Sequence, residues 1–297
     1  MSVNNVSVIF DAPGPRGRAL GRAIGAIGIL LCIGLGALAV WLLRGQLLNW
    51  DLWKIFLEPD TWRYYILDGL KNTLMAAALA VVCAGIFGLF FGMARLNHLP
   101  VINIPAGIVV EFFRAVPVLM MMLFAYYFLL YQASGLVAPE YVPLVAVVAG
   151  LTFYNGSVLA ELIRSGVHAL PRGQREAGMA IGMSRRQTLR EILLPQAITA
   201  MLPSLLSQLV VILKDTALGY IVTYNELLRA VQTRFSSGGV LVALIFCAAL
   251  YIIINYGLTL LASWVERRIR VRRAGRSVGV GLVPVPGTAN TNIRPDA

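Results

Sequence analysis

Six apolar stretches, at 23–43, 72–94, 112–131, 141–163, 197–223 and 240–265, constrain this 297-residue chain more than any other feature. A helix needs about 20 apolar residues to cross roughly 30 Å of hydrocarbon. Backbone polar groups find no partner in lipid, so a spanning segment of this length must satisfy them internally, as a helix. The expected fold class is therefore an all-α membrane protein of about six transmembrane helices. Hydrophobic residues at 58%, charged residues at 13% and a mean hydropathy of +0.76 agree with that class.

Lysine and arginine set the orientation, because they accumulate on the cytoplasmic side. With both termini inside, the arginines at 16, 18, 22, 95, 164, 172, 175, 185, 186 and 190 and those from Arg267 to Arg294 are cytoplasmic. Outside remain Arg44, Lys54, Arg63, Lys71, Arg229 and Arg234, balanced by Asp51, Glu58, Asp60, Asp68, Glu140 and Glu226. The first apolar stretch continues through Val40, Trp41, Leu42 and Leu43, longer than a signal-peptide core, and reads as a retained helix. The aromatic-rich stretch 49–65 reads as an external segment lying at the membrane interface.

This orientation puts the polar, arginine-rich segment 176–196 in the cytoplasm. Small residues at Ala177, Gly178, Ala180 and Gly182 would let one side of a short helix approach a partner closely, and Gly182 suits a left-handed helix end. Ser184 and Gln187 have capping-box spacing, which predicts a second helix through Leu189, Ile192 and Leu193 that stops at Pro195. The alternative is an ordinary basic loop between membrane helices.

Glu176, Ala177, Gly178, then Gly182, then Ile192, Leu194 and Pro195 resemble the EAA motif of ABC-importer permeases, in which a cytoplasmic coupling helix docks on the ATPase subunit. Gly178 stands where that motif has a second alanine, keeping the residue small at about 1 kcal/mol of helix propensity. The resemblance extends over about 68–266. Gly69 to Leu74, Glu111 to Pro117, Tyr154 to Arg164 and Leu213 to Leu218 are similar to the permease group for histidine, glutamate, glutamine and arginine.

That resemblance implies a type I ABC importer fold. It also implies two ATPase subunits, a second identical or homologous permease subunit and an extracytoplasmic amino-acid-binding protein. It implies ATPase-docking roles for Glu176, Ala177, Gly178, Ala180, Gly182 and Ser184. The organisation expected is a cytoplasmic tail over 1–22, an extra first helix and external segment over 23–67, and a permease core over 68–266. A coupling segment at about 172–195 lies within the core, and a basic cytoplasmic tail over 267–297 follows it. Many members of the group have five helices, so the first helix is an addition.

Lys214 and Asp215 fall inside the fifth apolar stretch, where a charge costs on the order of 2.5–3.5 kcal/mol. Either they line a substrate path or gate, or they satisfy groups on neighbouring helices or a second permease subunit. Thr216, and Asn155 in the fourth stretch, join them as candidates. Glu111 with Arg114, and Glu161 with Arg164, have the three-residue spacing that lets side chains meet on one helix face. Both pairs lie near cytoplasmic ends and read as structural pairs or a gate. Gly88 and Gly92 read as packing residues, and Pro117 and Pro203 as kinks.

Other chemistries find little footing. The lysines, Lys54, Lys71 and Lys214, follow Trp53, Leu70 and Leu213, so no glycine-lysine pair of a phosphate-binding loop exists; ATP and magnesium would belong to partner subunits. His98 and His168 lack the neighbours of a metal site, and no nucleophile elbow occurs. Cys32, Cys83 and Cys247 lie in apolar stretches and read as small core residues. The net charge of +11 is strung along helix ends and the tail, a pattern for membrane lipid, with no nucleic-acid motif.

The reading is a multi-pass permease subunit, not itself an enzyme, in a bacterial cytoplasmic membrane, carrying polar amino acids inward with no cofactor of its own. An ion-gradient-driven secondary transporter is the alternative; such a chain usually shows internal repeats with broken helices.

Overall fold

The computed structural model describes residues 14–235 and 238–277, and among them the regular structure is helical, with no strand. The outer parts of both expected tails, Arg294 included, lie outside the described residues. The helices that position the site are α1 (Pro15–Leu47), α2 (Leu67–Arg95), α3 (Pro100–Ala115), α4 (Val118–Tyr127), α5 (Val142–His168) and α6 (Arg172–Ala180). They continue as α7 (a helical run over 185–200), α8 (Leu202–Asp215), α9 (Leu227–Arg234) and α10 (Val240–Ser277). Among the described residues, five helical stretches are long and apolar enough to cross a membrane, and the bent pair α3–α4 can supply a sixth.

The centre is α2 against α5. Ala76, Ala80, Ala84, Gly88 and Gly92 recur every fourth residue, so they form one ridge, and all are buried. A Cβ on Gly88 would stand 2.6 Å from Leu159 Cβ and 3.0 Å from Gly156 O, so only glycine permits this approach. Lipid tails supply no hydrophobic drive between helices, and close backbone packing takes its place. Met122, Val147, Leu151, Leu159, Ile212, Val222 and Tyr224 join the three alanines in this core.

The 112–131 stretch is not one span. The chain breaks at Val116 and Pro117, both extended, and the helices on either side meet at 97°. Pro117 offers no N–H and forces Val116 out of the helical region. The fifth stretch is likewise shorter than 197–223. Residues 197–200 finish α7, Met201 breaks the helix ahead of Pro203, and a 3-10 turn over Thr216–Tyr220 follows Asp215.

Two further expectations change. The segment 49–65 is not purely interfacial: Phe56 is buried and stacks on Phe246 at 3.7 Å and on Phe235 at 4.9 Å. Trp50 and Tyr64 remain exposed. Cys32 is exposed on α1, which stands almost clear of the other helices, so it is not a core residue; Cys247 is buried.

Candidate functional site

The segment 172–200 forms a helix, an elbow and a helix. Gly182 closes α6 at φ +87°, with its N–H bonded to Met179 O and Met183 N–H to Gly178 O, so a left-handed residue satisfies the last carbonyls. Ser184 then starts α7: its Oγ accepts Gln187 N–H at 3.3 Å, and its own N–H donates to Gln187 Oε1 at 2.9 Å.

The helix does not stop at Pro195. A wide π turn over Thr188–Leu193 bonds Leu194 N–H to Leu189 O, and Pro195 falls in the first turn of the next α segment, where its missing donor is tolerated.

Glu176, Ala177, Ala180, Gly182 and Ser184 are exposed on this elbow, whereas Gly178 is buried. A Cβ on Gly178 would meet Thr188 Cγ2 at 2.7 Å and Ile192 Cδ1 at 3.0 Å. Its small size thus serves the packing of α6 on α7. Ile181, absent from the candidates read from sequence, projects from the tip with 77% of its surface exposed. An apolar residue inside an exposed polar turn was the signal.

At the ends of α2, α3 and α5, five charged side chains form one network. Arg95 donates to Glu161 at 2.7 Å and to Glu111 at 3.1 Å; Arg114 lies 3.3 Å from Glu111 and 3.9 Å from Glu161; Arg164 lies 2.6 Å from Glu161. The spacing of the two pairs was readable from sequence. Arg95, which joins them, is 66 residues from Glu161. Its signal was being a lone cation at the same end of the apolar segment as both pairs.

Lys214, Asp215, Thr216 and Asn155 are not brought to one point. Lys214 is exposed and lines a groove of about 330 Å³ between α8 and α10, with Ser207, Val210, Thr259, Ser263 and Glu266. Asp215 is half-buried, and Thr216 is buried with Oγ1 donating to Leu213 O at 2.6 Å. Asn155 is fully buried on α5; it accepts from Gln208 Nε2 at 2.6 Å and donates to Leu151 O at 3.1 Å.

Contacts along α5 place these groups at different depths. Met201, just before α8, packs on Gly166, while Gly219 packs on Val147, so α8 runs antiparallel to α5. Lys214 therefore lies toward the start of α5 and the charge network toward its end.

A family model described as the binding-protein-dependent transport system inner membrane component matches residues 84–271, which includes the elbow, Glu161 and Lys214. The chain belongs to this permease family. The permease is 43% identical over 242 residues to the glutamate transport system permease protein GluD of Corynebacterium glutamicum, covering 81% of this chain and 87% of that one. It is 32% identical over 208 residues to the glutamate/aspartate import permease protein GltK of Escherichia coli, covering 69% and 93%. A crystal structure of an amino acid ABC transporter with histidines matches with a TM-score of 0.60 and 29% identity, over 68% of this chain and 93% of that one. An inward-facing MetNI methionine ABC transporter shares the fold at a TM-score of 0.58 and 17% identity. Among the described residues, no cluster of three or more histidine, cysteine or acidic side chains could hold a metal ion.

Proposed function

We infer that this permease carries polar amino acids of the glutamate and glutamine class inward, as the membrane subunit of an ATP-driven importer. The relatives that carry these substrates cover most of the chain, which supports the substrate class. The observation that carries the coupling is the elbow at Gly182, an exposed, rigidly capped turn with an apolar tip.

In this reading both termini and the elbow face the cytoplasm of a bacterial cell, and Glu176, Ala177, Ala180, Gly182 and Ser184 meet the ATPase directly. Gly178 acts through α7. ATP and magnesium stay on two ATPase subunits, while a second permease copy, identical or homologous, completes the path. Closure of the ATPase pair moves α6 and α7, and the break at Met201 passes that motion to α8 and Lys214. An external binding protein delivers the substrate, and membrane lipid surrounds α1. Glu111 and Arg114, held with Glu161 and Arg95, form the inner gate.

The test is Ile181→Glu in the reconstituted transporter. Its fold should persist, and ATPase stimulation by the loaded binding protein should fall at least tenfold; normal stimulation sinks the coupling reading. Topology is checked separately. A cysteine near Arg175 should resist an impermeant thiol reagent in intact cells, and one near Asp60 should label.

A further inference from the structure

Glu226 is fully buried, yet among the described residues no arginine or lysine side chain is hydrogen-bonded to its carboxylate. It caps α9 instead. Its Oε2 accepts Leu228 N–H at 2.7 Å and its Oε1 accepts Arg229 N–H at 2.8 Å. The Tyr251 hydroxyl, from α10, donates to Oε2 at 2.8 Å. The side chains of Thr73 on α2 and Thr216 after α8 lie near enough to that hydroxyl to act on it electrostatically, while Thr216 Oγ1 itself donates to Leu213 O at 2.6 Å. Thr73 in turn accepts Leu227 N–H at 3.0 Å. A helix cap needs only a surface side chain, and enclosing a carboxylate is costly unless every acceptor is used. This one ties four elements together at the end of α8.

We propose that Glu226 is a positioning residue: through Tyr251 and Thr216 it fixes the helix end carrying Lys214 and Asp215 against α9, so that its protonation alters how Lys214 is presented to the substrate. This rests on the reading that Lys214 lines the substrate path.

The groups facing Glu226 are the backbone and guanidinium of Arg229 on α9, Tyr224 before it, Tyr251 and Cys247 on α10, Thr73 on α2 and Thr216. The Arg229 guanidinium donates to Tyr220 O at 3.3 Å and acts on Glu226 through its charge, without a hydrogen bond to the carboxylate. Ionised, Glu226 accepts from all three donors. Protonated on Oε2, that oxygen becomes a donor, so Tyr251 releases it or accepts from it, and Tyr251 is then free to turn toward Thr216. Burial pushes the Glu226 carboxyl up to about 7, which brings this exchange into the range of ordinary aqueous pH.

The experiment is uptake of labelled glutamate by the assembled transporter and its binding protein in proteoliposomes, with KM and kcat measured from external pH 5.5 to 8.5. Wild type is compared with Glu226→Gln, Tyr251→Phe and Lys214→Met. The binding protein's own response to pH is common to all and cancels in the comparison. The ratio of wild-type to Tyr251→Phe KM should change at least threefold across this range, and Glu226→Gln should flatten the profile in the same way. Should Glu226→Gln fail to assemble, Tyr251→Phe alone decides. A pH profile in Tyr251→Phe that parallels wild type overturns the proposal while leaving Lys214 in the path. Wild-type KM and kcat in Lys214→Met remove the path reading, and the proposal with it.

Discussion

Gln208 reaches from α8 to α5 and donates a 2.6 Å hydrogen bond to Asn155 Oδ1. Asn155 is fully buried and Gln208 half-buried, so the pair joins the two spans through one enclosed amide. Asn155 also spends one amide hydrogen on Leu151 O, which commits the side chain to the scaffold. Asn155→Ala should therefore lower the melting temperature of the complex, by about 0.6–2 kcal/mol in stability, and leave the KM for amino acid near wild type. A raised KM at unchanged stability would return Asn155 to the substrate path.

Gly85 and Gly88 lie three residues apart on α2, Gly85 exposed and Gly88 buried, and should respond oppositely. Gly88→Ala forces a Cβ to 2.6 Å from that of Leu159 and should cost about 1–3 kcal/mol. Gly85→Ala meets nothing within 4 Å and should be neutral or stabilising by about 0.5–1 kcal/mol, since alanine is the better helix former. Thermal unfolding of the two variants in one detergent checks the contrast.

Arg95 is 11% exposed and holds Glu161 and Glu111 on two different helices. Arg95→Met leaves Glu161 with Arg164 but removes its tie to α2, and should destabilise by about 1–3 kcal/mol. Glu161→Gln alone should also destabilise, since it weakens the contacts to both Arg95 and Arg164, and the double variant should lose less than the sum of the two. A double-mutant cycle on the melting temperature measures the coupling, and strict additivity of the two changes would mean that the 2.7 Å contact contributes nothing.

At the elbow, Gly182 has φ +87° with nothing near its missing Cβ, so backbone strain rather than space decides what fits. Gly182→Asn should be tolerated better than Gly182→Val, because asparagine enters the left-handed region and a β-branched side chain resists it. Comparing expression, melting temperature and stimulated ATPase activity of the two transporters checks this order.

Stability should fall as pH rises through about 7. Glu226 is raised from 4.5 in the unfolded chain to about 7 by burial, so between these values the folded protein holds a proton that the unfolded chain lacks. The stabilisation is fully present below about 4.5 and is lost as pH passes 7. Measured against Glu226→Gln from pH 5 to 8, the wild-type melting temperature should decline more steeply; equal slopes would show that the carboxyl does not titrate there.

The helical class is legible in the residues alone, because a run of about 20 apolar residues has one solution in lipid, a helix. So is the elbow, since Gly182 and the Ser184–Gln187 spacing act within a few bonds of one another. The pairs Glu111–Arg114 and Glu161–Arg164 were legible for the same reason, being one helical turn apart. What crosses between helices was not. Arg95 at Glu161, Gln208 at Asn155 and Tyr251 at Glu226 join residues far apart in the chain, and an apolar stretch with no strong amphipathic face does not reveal which side of a helix meets which neighbour. Even Pro117 and Pro195, alike in sequence, part company in the fold. Pro117 turns the chain by 97°, whereas a π turn lets the helix run on through Pro195, because the surrounding packing decides whether a missing N–H becomes a break or is absorbed.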